Sequence, residues 1–278
     1  MTVDGTGHIY VIGNAISFPV TPGTFQTDPP PRGHLSLSDP RVVGSGAFVA
    51  KLTPAGELVS ATYLHGLTLR QYPPDVYGTA IAVDASGSVL LAGHANGPLP
   101  VSIPGPFNRP PGDCPCSYFA NTGFLVKFSP DLTTLEWGFY IPALPLRSPQ
   151  TISIRSMALD RSGNIVIAGN TSNLSRVSDG AIQKSIPPQV PQYRLIGFLN
   201  KLDRNGRELL VSTYFGSDVA ELALDAEDRM WVTGESFPAD ALPAPSGTVL
   251  LGPSYVAGLR PDGSAVESLI TAPSGTSG

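Results

Sequence analysis

Four aspartates recur in one local pattern, and their chemistry has to be decided first. Asp4 stands in VDGTGHIYVIG (Val3 to Gly13), Asp84 in VDASGSVLLAG (Val83 to Gly93), Asp160 in LDRSGNIVIAG (Leu159 to Gly169) and Asp225 in LDAEDRMWVTG (Leu224 to Gly234). Such an Asp has two uses. It can ligate Ca²⁺, or it can accept from its own downstream amides and start a turn. Calcium loops set several oxygen side chains at alternating positions. Asp4-Gly5-Thr6-Gly7 and Asp84-Ala85-Ser86-Gly87 offer one carboxylate each, so the turn reading is preferred to calcium or another metal, and no cofactor is expected. Gly7, Gly87 and Gly163 fall where a tight hairpin needs a positive φ. The fourth copy is denser in acid: Glu227 and Asp228 join Asp225, and the turn Gly is missing.

Other reactive residues are sparse. Cys114 and Cys116 are the only two cysteines, in Pro110-Pro111-Gly112-Asp113-Cys114-Pro115-Cys116. They are candidates for a local disulfide, strained across one intervening residue, in an oxidising compartment. Free thiols and a two-thiolate metal corner are the alternatives; a zinc site wants four ligands, and no second Cys pair exists. His8, His34, His65 and His94 form no His-Glu-x-x-His pattern, and no Gly-x-Ser-x-Gly elbow is present. Catalytic residues are therefore not assignable, although carboxylates from different repeats could still meet in space. Trp137, Trp231, Tyr63, Tyr140 and Tyr214 occupy strand positions; packing is favoured over sugar-binding platforms.

The elements that hold these residues are hairpins. In each copy the apolar run before the Asp (Gly78 to Val83, Ile152 to Leu159, Val219 to Leu224) and the run after the turn (His8 to Ile12, Ser88 to Ala92, Asn164 to Ala168) are short and rich in Val, Ile and Leu, as strands are. A second hairpin follows: Gly46 to Leu64, Gly123 to Ile141, Gly197 to Phe215 and Ser254 to Ile270. Its centre carries turn chemistry, as in Thr53-Pro54-Ala55-Gly56 and Asp203-Arg204-Asn205-Gly206. Four strands thus repeat four times, with Asp spacings of 80, 76 and 65 residues. A compact blade needs about 40–50 residues, so the surplus lies in loops. Serial four-stranded units predict an all-β, β-propeller fold of four blades, approximately 1–66, 77–141, 151–216 and 218–271, with a polar tail at 272–278. A sandwich or solenoid is the competitor.

The first unit resembles a known family. Ser17-Phe18-Pro19-Val20-Thr21-Pro22-Gly23-Thr24-Phe25-Gln26, then Gly46-Ala47-Phe48-Val49-Ala50-Lys51-Leu52, then Thr62-Tyr63-Leu64, then Ile81-Ala82-Val83-Asp84 is similar to the bacterial SBBP beta-propeller repeat. The match covers nearly all of the first unit and thins to the strands in the second and third. The fourth is weakest, with Gly258 in place of the strand Lys. The resemblance implies secreted or surface-associated bacterial proteins without assigned activity, and it carries no catalytic residues across.

Composition sets the remaining bounds. Hydrophobic residues make up 41 %, and charged residues 14 % against an average of about 25 %. With 30 glycines and 29 prolines between strand signals, the chain reads as folded β structure with long loops. The net charge of −5 and the lack of a basic run exclude a nucleic-acid face. No apolar run approaches the length of a membrane-spanning helix. Only Met1-Thr2-Val3 precede the first Asp, where later copies have a full strand. A piece of a longer, six- to eight-bladed propeller protein is therefore expected, with further repeats or fused domains; a closed four-bladed ring is the alternative.

Links between the two hairpins run Asn14 to Ser45, His94 to Thr122, Asn170 to Ile196 and Glu235 to Pro253. Loops this long are usually functional or disordered, and these leave from equivalent positions, so they should gather on one face. Covering strand edges is the competing use. The expected function is a non-catalytic module of an exported protein, binding a protein, peptide or glycan or serving structural display. A hydrolase or lyase with a site at the central channel, with or without a metal, is the alternative.

Overall fold

The computed structural model describes residues 1–31, 44–66, 74–101, 105–107, 121–143, 151–188, 190–191, 194–236 and 242–273. Among them are sixteen strands and no helix. The chain divides into two compact units, Met1–Ile141 and Pro142–Gly278. Each holds two four-stranded antiparallel sheets of up-and-down order, the blades of a β-propeller-type fold.

In unit one the first sheet is β1 (Thr2–Val3), β2 (Ile9–Ala15), β3 (Gly46–Leu52) and β4 (Leu58–Leu64). The second is β5 (Val76–Val83), β6 (Val89–Ala95), β7 (Thr122–Phe128) and β8 (Leu135–Ile141). In unit two the third sheet is β9 (Ile152–Leu159), β10 (Ile165–Thr171), β11 (Ile196–Leu202) and β12 (Leu209–Tyr214). The fourth is β13 (Asp218–Leu224), β14 (Met230–Glu235), β15 (Ser254–Leu259) and β16 (Val266–Ala272). The four sheets span residues 2–64, 76–141, 152–214 and 218–272. The tail's last residues, 274–278, lie outside the described residues.

Each unit buries a core between its two sheets. Unit one packs Tyr10, Val49, Leu64, Val76, Leu91, Phe124 and Phe128 together; unit two packs Val166, Leu199, Phe215, Val219, Met230 and Leu259. An amide side chain, exposed at Asn14 and buried at Asn170, joins neighbouring sheets. Asn14 Oδ1 accepts from Gly78 N–H at 3.0 Å, and Asn170 Oδ1 accepts from Val219 N–H at 3.0 Å. Asn170 also donates to the Asp218 carboxylate.

The second strand of each repeat runs past the Gly at which the sequence ends it. Gly13, Gly93, Gly169 and Gly234 lie inside strands, and the links begin one or two residues later than the sequence places them. The reason is tertiary. A β-bulge in the partner strand brings a carbonyl over the glycine, and a Cβ would sit 1.8 Å from Tyr77 O at Gly93, 2.0 Å from Ser153 O at Gly169 and 2.0 Å from Asp218 O at Gly234. Only Gly lets the backbones approach so closely.

Candidate functional site

The four repeat aspartates are turn locks. In every copy Oδ1 accepts two main-chain N–H bonds, from residues two and four further on. The donors are Thr6 and His8 (2.9 and 3.0 Å), Ser86 and Ser88 (2.8 and 3.0 Å), Ser162 and Asn164 (2.9 and 2.8 Å), and Glu227 and Arg229 (3.0 Å each). The Asp carbonyl accepts from the residue three on, which is Gly7, Gly87 and Gly163 at φ 88°, 84° and 78°. The fourth turn keeps the same geometry without Gly: Asp228 takes φ 60°. Asp tolerates this left-handed region better than most residues, and its Oδ1 accepts from Arg161 N–H on the third sheet at 3.1 Å.

The second carboxylate oxygen meets a lysine in two sheets and other donors in the remaining two. Lys127 on β7 reaches Asp84 Oδ2 at 2.8 Å, and Lys201 on β11 reaches Asp160 Oδ2 at 2.9 Å. In the first sheet the Tyr10 hydroxyl donates to Asp4 Oδ2 at 3.0 Å. In the fourth, Trp231 Nε1 and Arg229 Nε donate to Asp225 Oδ2 at 2.8 and 2.7 Å. All eight oxygens therefore accept from their own sheet. Burial pushes the Asp84 and Asp160 carboxyls up, but bonds from the lysines and from Ser86 or Asn164 outweigh it and hold both below the usual carboxylate range. The Thr6 hydroxyl holds Asp4 well below that range, and the Trp231 indole does the same for Asp225. Burial and the facing Asp4 push the Tyr10 phenol up to about 12.

The departures of the fourth repeat are coupled. Gly258 occupies the register position of Lys127 and Lys201, facing Trp231 where the third sheet has Val166 facing Lys201. A Cβ at Gly258 would meet the Trp231 ring at 3.0 Å. The indole thus fills the space of the lysine stem and supplies its hydrogen bond. We expect Gly258→Lys alone to cost about 1–3 kcal/mol through overpacking. With Trp231→Val added, the lysine can reach Asp225, and the double mutant should recover at least about 1 kcal/mol of that loss. Urea unfolding of the two single variants and the double variant measures this; additive effects would contradict the coupling.

The tyrosines are latches, not platforms. Tyr63, Tyr140 and Tyr214 are buried at 1, 3 and 3 % exposure. Their hydroxyls accept from Phe18, Leu99 and Leu174 N–H at the start of each link, the last two at 2.5 and 3.0 Å. Trp137 stacks on Phe139 of its own strand, centroids 5.7 Å apart, and Trp231 serves Asp225, so packing within a sheet explains both.

Two links then fold back along the outer strand of their own sheet. Thr21 N–H donates to Ala61 O and Tyr63 N–H to Gln26 O, both at 3.1 Å. The third sheet repeats this: Ser178 N–H donates to Ser212 O at 2.9 Å and Tyr214 N–H to Gln183 O at 3.1 Å. Thr21-Pro22-Gly23-Thr24-Phe25-Gln26 and Ser178-Asp179-Gly180-Ala181-Ile182-Gln183 are equivalent segments. Covering strand edges, the competing use of these loops, is thus part of what they do. Phe25 and Ile182 meanwhile pack into the cores shared with the next sheet.

The described histidines do not converge. His8 Nδ1 bonds Thr6 Oγ1 at 2.8 Å, His65 Nδ1 lies 3.2 Å from Gly66 O, and His94 stacks on Tyr77 with centroids 5.1 Å apart. Among the described residues no three His, Cys, Asp or Glu side chains are grouped to hold a metal ion. His34, Cys114 and Cys116 lie outside the described residues. Among the described residues no helix is long and apolar enough to cross a membrane.

No family model and no curated protein matches the chain. Solved structures similar to it include the quinohemoprotein alcohol dehydrogenase of Comamonas testosteroni (10 % identity, TM-score 0.39, 82 % of this chain and 33 % of that one). A putative gluconolactonase aligns at 14 % identity and TM-score 0.31 over 79 % of this chain and 57 % of that one. A D477G ACO/RPE65 chimera aligns at 11 % identity and TM-score 0.36 over 82 % and 43 %. The chain spans well under two thirds of each, and likenesses this faint carry no argument about activity.

Proposed function

We propose that the chain is a non-catalytic β-propeller module of an exported bacterial protein, holding out its long links to bind a protein, peptide or glycan. One observation carries the reading. What repeats from sheet to sheet is structural: each Asp has both oxygens engaged by its own sheet. What differs from sheet to sheet is the link between the second and third strands. In every sheet the link leaves from the same end of its own up-and-down meander, the end at which the second strand finishes. A rigid frame carrying variable loops at one end is suited to recognition. The likeness of the first repeat to the SBBP family supports the assignment to an exported bacterial protein.

A glycan and peptide array probed with the purified chain, beside a panel of esterase, glycosidase and lyase substrates, tests the proposal. Selective binding without turnover is expected. Turnover with a stoichiometric metal, and no binding on the array, would move the reading to a propeller enzyme.

A further inference from the structure

Lys51 on β3 is the odd lysine of the repeat. Its counterparts are neutralised by the repeat Asp, Lys127 by Asp84 and Lys201 by Asp160. Lys51 makes no ion pair among the described residues, because Tyr10 already donates to Asp4 Oδ2 and its ring lies 5.4 Å from the ammonium. The ammonium makes only a long bond, 3.5 Å, to Pro130 O of the second sheet.

The residue facing it is also changed. Lys127 pairs in register with Trp137 and Lys201 with Val211, and Val211 packs closely against the backbone at Gly263. Lys51 pairs with Ser60. The small side chain leaves a cleft of about 440 Å³ between β4, the Thr21–Thr24 turn and the turn after β7. That volume lies within the usual range for small-ligand sites, about 300–1,000 Å³. Ser60 is 8 % exposed, and its hydroxyl has no hydrogen-bond partner. A buried hydroxyl left unmade is costly, and a ligand that supplies the bond recovers that cost.

The rest of the lining selects the ligand. The Thr24 hydroxyl is spent on Ala61 O at 2.8 Å. Asp131 Oδ1 accepts from Ser129 Oγ and Thr133 Oγ1 at 2.6 and 2.9 Å and from Thr133 N–H at 3.2 Å; its second oxygen takes none of these. Pro22, Val59 and Pro130 form apolar walls. A bare anion would meet Lys51 but would also face the Asp131 carboxylate. A cation would face Lys51. A molecule with one carboxylate, several hydroxyls and an apolar C–H face satisfies all of them. We propose that this cleft binds a sugar acid, the terminal uronate of a glycan. Its carboxylate sits on Lys51, its hydroxyls on Ser60 and Asp131, and its ring face on the prolines and Val59. The site lies beside the strand turns; its Thr21–Thr24 wall is the folded-back part of the first link, and a uronate pocket there goes beyond the loop-borne function proposed above.

Calorimetric titration of the full chain with methyl glucuronoside, methyl glucoside and acetate tests this. Saturable binding of the glucuronoside alone is expected, with affinity at least about tenfold weaker in Ser60→Val and in Lys51→Met. Ser60→Val copies the residue present at position 211, so its fold should hold, and an unchanged melting curve shows that it does. No glucuronoside binding up to about 10 mM, equal binding of glucoside or acetate, or undiminished binding by Ser60→Val each overturns the proposal. Failure of the glucuronoside to bind, with array binding that persists in Ser60→Val, would leave the loop reading standing and remove only this one.

Discussion

Gly169→Ala is expected to be among the most damaging single-methyl changes in the chain. The new Cβ would lie 2.0 Å from Ser153 O and 3.0 Å from Ile154 Cα, both main-chain atoms of β9. No side-chain rotation can relieve a clash with backbone, so β9 and β10 must part. Those strands pair over their whole length and position Asn170, whose amide ties the third sheet to the fourth. We expect a loss above about 4 kcal/mol, which belongs to the exceptional tail of point substitutions. Gly5→Ala is the control: nothing lies within 4 Å of its Cβ, and a change within about 0.5 kcal/mol is expected. Circular dichroism and urea unfolding of both variants decide the matter. A Gly169→Ala protein as stable as Gly5→Ala would refute the close approach.

Lys201→Met should cost about 3–5 kcal/mol at neutral pH, because it strands a buried carboxylate. Asp160 and Lys201 have side chains only 4 and 10 % exposed, and the ammonium also donates to Pro261 O at 3.0 Å. Lys127→Met should cost less, since Lys127 and Asp84 are 16 and 20 % exposed. The pH dependence separates the pair from mere packing. In the native protein Asp160 is held below its unfolded value of about 3.9. Its contribution to stability is therefore present above that pH and is lost as pH falls through the folded value. In Lys201→Met the lysine bond is gone and burial, which favours the protonated acid, weighs more. The gap between variant and native protein should then be widest at neutral pH and shrink as pH drops below about 4. A gap independent of pH would assign the loss to the missing stem.

The architecture was legible because its signals are local. Period-two alternation marks the strands, Asp-x-x-Gly marks the first turns, and four copies at regular spacing require serial four-stranded sheets. What stayed hidden depends on partners distant in sequence. The strands outrun Gly93 and Gly169 because a bulged neighbour lays a carbonyl over the glycine, and nothing at those positions announces it. The edge-covering role of Thr21–Gln26 was recoverable by aligning it with Ser178–Gln183, since both keep a Gly and a final Gln at the same offsets. The paired change of Lys to Gly258 and an aliphatic residue to Trp231 was likewise visible in the repeats. Read position by position it appears as decay; read across the register it is compensation. The cleft beside Ser60 follows the same logic, because a small residue stands where the other sheets compared place Trp137 and Val211.

Carbon-13 NMR titration of the aspartate carboxyls, with and without millimolar calcium, tests most directly whether the repeat Asp residues are locks. Asp4, Asp84, Asp160 and Asp225 should all stay ionised below the ordinary value of about 3.9 and should not move with calcium. Any of the four titrating at or above that value, or shifting when calcium is added, would contradict the assignment of these residues to the scaffold.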